Sequence, residues 1–100
     1  MATTLKALGR GSLGTSSSTL YTVPSATTSI ITNIVICNTN SSAETFNLSV
    51  AGSEIFYTAA IQANQTLTVD MKQAISATQT ITGLASNTGI KYHISGAEIA

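Results

Sequence analysis

The sequence predicts an all-β protein. We expect a single antiparallel β-sandwich, jelly-roll or immunoglobulin-like, of about seven or eight strands with an extended N-terminal arm. Three observations carry this. Apolar and polar residues alternate with a period of two in several segments, which is the mark of a strand with one buried face. Clusters of Gly, Pro, Asn and Ser separate those segments, at roughly the 8–12 residue spacing of an antiparallel sandwich. The commonest residues include 17 Thr and 11 Ile, β-branched side chains that fit a pleated surface.

In chain order, residues 1–18 read as the arm and residues 19–100 as the sandwich. The arm, MATTLKALGRGSLGTSSS, carries Leu5, Leu8 and Leu13 among glycines and small hydroxyl residues. Residues 19–23 are a short strand ended by Pro24. Residues 28–37, TSIITNIVIC, are apolar on both parities: Ile30, Thr32, Ile34 and Ile36 on one, Ile31, Asn33, Val35 and Cys37 on the other. Such a strand is covered on both sides, so its second face needs the arm or another chain. Asn38–Ser42 is a polar loop. In 44–50, Phe46, Leu48 and Val50 point inward and Thr45, Asn47 and Ser49 outward. Ala51–Ser53 makes a hairpin connection to 54–58. There the adjacent Phe56 and Tyr57 must point to opposite faces. Residues 65–71 bury Leu67, Val69 and Met71. Residues 72–77 could form one helical turn at most. Residues 78–83 and 89–95 complete the set, the last with Ile90, Tyr92 and Ile94 inward and Lys91 and His93 outward.

Charge narrows the functional classes. Charged residues are 8% of the chain and the net charge is zero, against about 25% charged in an ordinary domain. Four scattered cations do not make a phosphate-binding footprint or a polybasic membrane site, so neither nucleic acid nor membrane is an expected partner. No run approaches the length of a membrane span. The first residues lack the apolar core of a signal peptide. One cysteine, Cys37, cannot form an internal disulfide.

No motif points to catalysis, a metal or a cofactor. Gly9–Gly14 matches GxGxxG, but that motif works only between a strand and a helix N-terminus, and Thr15–Ser18 is a poor helix start. His93 is the only histidine, and no G-x-S-x-G accompanies the abundant serines. One Cys and one His far apart do not make a zinc site, and Glu44, Glu54, Asp70 and Glu98 lack calcium-loop spacing. The expected working surface is an interface built from Leu5, Leu8, Leu13, Ile31, Val35, Phe56 and Tyr57.

TLYTVP (Thr19–Pro24), the β-rich run closing on Cys37-Asn38, ITG (Ile81–Gly83), SGAEI (Ser95–Ile99) and the opening ATTLKALG (Ala2–Gly9) together resemble small phage virion proteins. These are β-sandwich proteins of about this length, including those of cyanobacterial phages. The resemblance implies a non-enzymatic structural protein of the virion. It would be a capsid decoration or cement protein, or alternatively a tail, collar or fibre-associated module. The major capsid protein, other virion proteins and further copies of itself would be its partners. It would have no cofactor. A carbohydrate-binding adhesion domain is a further alternative.

Overall fold

A computed structural model describes residues 3–100. It contains two four-stranded antiparallel sheets and no helix among the described residues. The strands are β1 (Thr3–Leu13), β2 (Ser18–Thr22), β3 (Thr28–Asn38), β4 (Glu44–Val50), β5 (Ser53–Ile61), β6 (Thr66–Ile75), β7 (Thr80–Ala85) and β8 (Ile90–Ile99). The first sheet runs β1-β8-β3-β6 and the second β2-β7-β4-β5. Successive strands therefore change sheet at every connection except the β4–β5 hairpin, the jelly-roll form of the sandwich.

The core lies between the sheets. Phe46, Leu48 and Val50 of β4 and Ile81 and Ala85 of β7 meet Ile31, Ile34 and Ile36 of β3 and Ile90 and Ile94 of β8. The alternation in 44–50 and 89–95 thus reports burial directly. At the β4–β5 hairpin, Val50 pairs with Ser53 across Ala51 (φ 51°) and Gly52 (φ 84°). Two positive φ values make this the primed turn whose twist matches the flanking strands. Residues 72–75, expected as a helical turn, instead continue β6, because Gln73, Ala74 and Ile75 pair with Ile31, Ile30 and Ser29.

The larger correction concerns the arm. Residues 3–13 are an integral strand, paired along their length with β8. Leu8 (7% exposed) and Leu13 (1%) are core residues. Two features hide this strand in the sequence. A β-bulge between Ala7 and Gly9 places Leu8 out of step with any single parity. The inward positions that follow are Gly9 and Gly11, whose missing side chains leave room for the Tyr92 ring: a Cβ on either would lie 3.5–3.7 Å from it. Residues 1 and 2 of the expected arm lie outside the described residues.

A second bulge, between Ile31 and Asn33, resolves the doubly apolar strand. Thr32 is the extra residue, so the inward set switches parity, from Ile31 to Ile34 and Ile36. Ile30, Asn33, Val35 and Cys37 are left half-buried on the outer face of the sheet.

Polar networks close the two ends of the sandwich. At one end Tyr21 Oη lies 2.7 Å from Ser29 Oγ and donates to Glu98 Oε2 at 2.5 Å. Lys6 Nζ reaches Glu98 Oε1 at 3.3 Å, so β1, β2, β3 and β8 are tied together. At the other end buried Asn38 donates to the carbonyls of Ser42, Ile61 and Gln62 and accepts from the Asn40 N–H. Each polar group of that amide thus has a partner, as its burial demands.

Candidate functional site

The outer faces of the two sheets differ in chemistry, and the register defines each. Residues directly opposite in a ladder share a face. On the second sheet the outward residues are Thr19 and Thr22 of β2, Thr80, Thr82 and Leu84 of β7, and Thr45, Asn47 and Ser49 of β4. Apart from Leu84, this is a field of hydroxyls and amides. Glu54, opposite Ser49, supplies charge only at the β5 edge. That edge is irregular. Bulges flank Leu48, Thr58 has φ 50°, and the Thr58 N–H is satisfied by Asn47 Oδ1 at 3.2 Å.

On the first sheet the outer face holds more apolar residues and also more charge. Four rows cross it in the order β1, β8, β3, β6: Ser12–Lys91–Cys37–Thr66, Arg10–His93–Val35–Thr68, Ala7–Ser95–Asn33–Asp70 and Leu5–Ala97–Ile30–Ala74. The last row carries no polar side chain. Leu5 within it is 81% exposed. Beside the bulge at Thr32 a groove of about 570 Å³ opens, lined by Thr32, Asp70, Met71 and Lys72.

The seven residues expected at an interface therefore divide. Leu5 and Val35 lie on the outer face of the first sheet, Leu5 exposed and Val35 half-buried. Tyr57 is exposed on β5 and Phe56 turns inward, its ring 5.2 Å from that of Phe46, as their adjacency requires. Leu8, Leu13 and Ile31 are not surface residues. The bulges at Leu8 and Thr32 and the pairing of Leu13 with Ile90 carry them into the core. Sequence reasoning missed Ile30, Ala74 and Ala97 as outward neighbours of Leu5, because their grouping follows from register rather than from spacing.

The residues weighed for chemistry do not converge. His93 and Asp70 stand on β8 and β6 with β3 between them. GxGxxG spans β1 and the turn after it, with no helix following. No cluster of three or more His, Cys, Asp or Glu that could hold a metal occurs among the described residues. Cys37 is half-buried on the outer face, opposite Lys91. The two carboxylates with altered acidity are built into structure. Hydrogen bonds hold Glu98 below the ordinary carboxylate range, first from Tyr21 and then from Lys6. Ser86, then Ser42 and Asn87, do the same for Glu44.

No family model matches the chain, and no curated protein matches it. Among solved structures it is similar to the Drosophila NLP core, whose crystal structure is described as giving insight into pentamer formation and histone binding. The TM-score is 0.56 at 14% identity, over 95% of this chain and 100% of that one. At this identity the likeness is one of fold, and it extends over nearly the whole of this chain.

Proposed function

We propose that this chain is a non-catalytic structural protein of a phage particle, a decoration or cement protein that binds and stabilises the shell by surface complementarity. The observation that carries the reading is the outer face of β2-β7-β4, a field of Thr, Ser and Asn side chains around Leu84 that carries no charge, with Glu54 only at the β5 edge. Such a face can be covered without stripping water from ions, which costs several kcal/mol per buried charge. A contact made this way is also insensitive to salt. The resemblance to small virion proteins and a jelly-roll sandwich, an architecture common in capsid proteins, support the same reading. The fold neighbour, described in terms of pentamer formation, is in keeping with a sandwich that assembles with copies of itself. Its histone partner is not carried over, because a basic partner calls for clustered acidic residues and this chain has 4 acidic residues in all.

Quantitative mass spectrometry of purified particles tests the proposal. We expect a copy number that scales with the shell, and binding to undecorated shells that changes little between low and high salt. A few copies per particle would replace the cement role with the tail, collar or fibre alternative. Absence from the particle would end both.

A further inference from the structure

We propose that the outer face of β1-β8-β3-β6 is covered by a second copy of this chain, the two copies related by a two-fold axis parallel to the strands. This goes beyond the shell-binding reading and does not depend on it. Three observations support it. One row of the face, Leu5–Ala97–Ile30–Ala74, is wholly apolar while the others carry Arg10, Lys91, His93 and Asp70, and β1 lies edge-on beside β8 rather than across the sheet, so no strand among the described residues covers Leu5, Ile30 and Val35.

The second observation is size. The row Leu5–Ala97–Ile30–Ala74 alternates large and small across the sheet. A two-fold axis along the strands reverses the lateral order while keeping the row. Leu5 then meets Ala74 of the other copy and Ile30 meets its Ala97, so each large side chain faces a small one. Facing sheets align within about 30°, which keeps such rows in step. The third observation is charge. Arg10 lies on the β1 edge of the face and Asp70 on the β6 edge, one row apart. The same axis brings Arg10 over Thr68 of the other copy, beside its Asp70 and within reach of a long side chain. A net charge of zero adds no long-range repulsion between copies. Four strands about 4.8 Å apart over about nine residues give about 600 Å² per copy, enough for a specific if modest dimer.

Sedimentation of the full chain at about 50 μM reads the mass. We expect a dimer, and at least tenfold weaker association for Leu5→Glu and for Ala74→Arg, with far-UV circular dichroism unchanged. In a Cys37→Ser background, Leu5→Cys with Ala74→Cys should be joined between copies by a short bis-maleimide that spans about 8–10 Å, the spacing of facing sheets, and Leu5→Cys alone should not. A monomeric wild type overturns the proposal, as does a dimer indifferent to both charge variants. Efficient cross-linking by Leu5→Cys alone overturns the axis, because it places the two β1 strands over each other. The particle copy number is a separate measurement, so either reading can fail without the other.

Discussion

The three leucines of the first strand look equivalent in the sequence, and the structure ranks them. Leu13 is 1% exposed. It pairs with Ile90, and one of its methyls approaches Gly83, where an added Cβ would lie 3.1 Å away. Truncating it to Ala removes a fully buried isobutyl group and leaves a void between the sheets, at a cost of about 2–5 kcal/mol. Leu8 fills the bulge against Gly96 at 7% exposure. Next to an edge that can relax, its truncation should fall at the lower end of the same range. Leu5, 81% exposed, should cost less than about 0.5 kcal/mol in the monomer. Urea titration of the three Ala variants, under conditions where the protein is monomeric, gives these differences as midpoint shifts at constant slope. In thermal melts each kcal/mol is worth about 4–8 °C for a domain of this size. If Leu13→Ala were as stable as Leu5→Ala, β1 would not be part of the core. The whole description of the first sheet would then be wrong.

Other consequences are equally concrete. Gly96→Ala forces a Cβ against the Ile30 carbonyl in the middle of the sheet and should cost at least about 1–3 kcal/mol. Gly52→Ala adds a methyl in open space at φ 84° and should cost about 1 kcal/mol, all of it backbone conformation. Equal effects would contradict the register around Gly96. Glu98 and Glu44 are held below the ordinary carboxylate range, so protons bind the unfolded chain first. Stability should therefore be intact above about pH 4.3 and decline as the pH falls further, through the native values. Tyr21→Phe removes the chief hydrogen bond to Glu98. It should cost about 1–3 kcal/mol at neutral pH and flatten the acid decline, since the native carboxyl then titrates nearer its unfolded value. An unchanged acid profile would mean that Tyr21 does not hold that carboxylate.

What the sequence revealed and what it concealed have the same cause. Where a strand keeps one parity, as in 44–50, alternation reads out the buried face. Where a bulge adds a residue, at Leu8 and at Thr32, the inward set changes parity and the pattern dissolves. The first strand then looks like an arm, and Ile31 looks like a candidate for the surface. The glycines of β1 compound this, because an inward position filled by a neighbour's ring has no apolar side chain of its own to report. The adjacency of Phe56 and Tyr57 needed no register, and it came out as expected. The outward row around Leu5 did need register, since its four members are drawn from four distant segments of the chain.

The strand order has a temporal consequence as well. β8, made after the other seven described strands, lies between β1 and β3. Until it is made, β1 has no hydrogen-bonded neighbour in its sheet and β3 keeps an open, largely apolar edge. The first sheet closes only once β8 has been made, through pairings between residues roughly 80 to 95 positions apart. Such non-local closure is slow, on the order of milliseconds to seconds. For that interval the nascent protein shows an unpaired strand to its sister chains. Early crowding of those chains, rather than any weakness of the finished sandwich, is where yield would be lost.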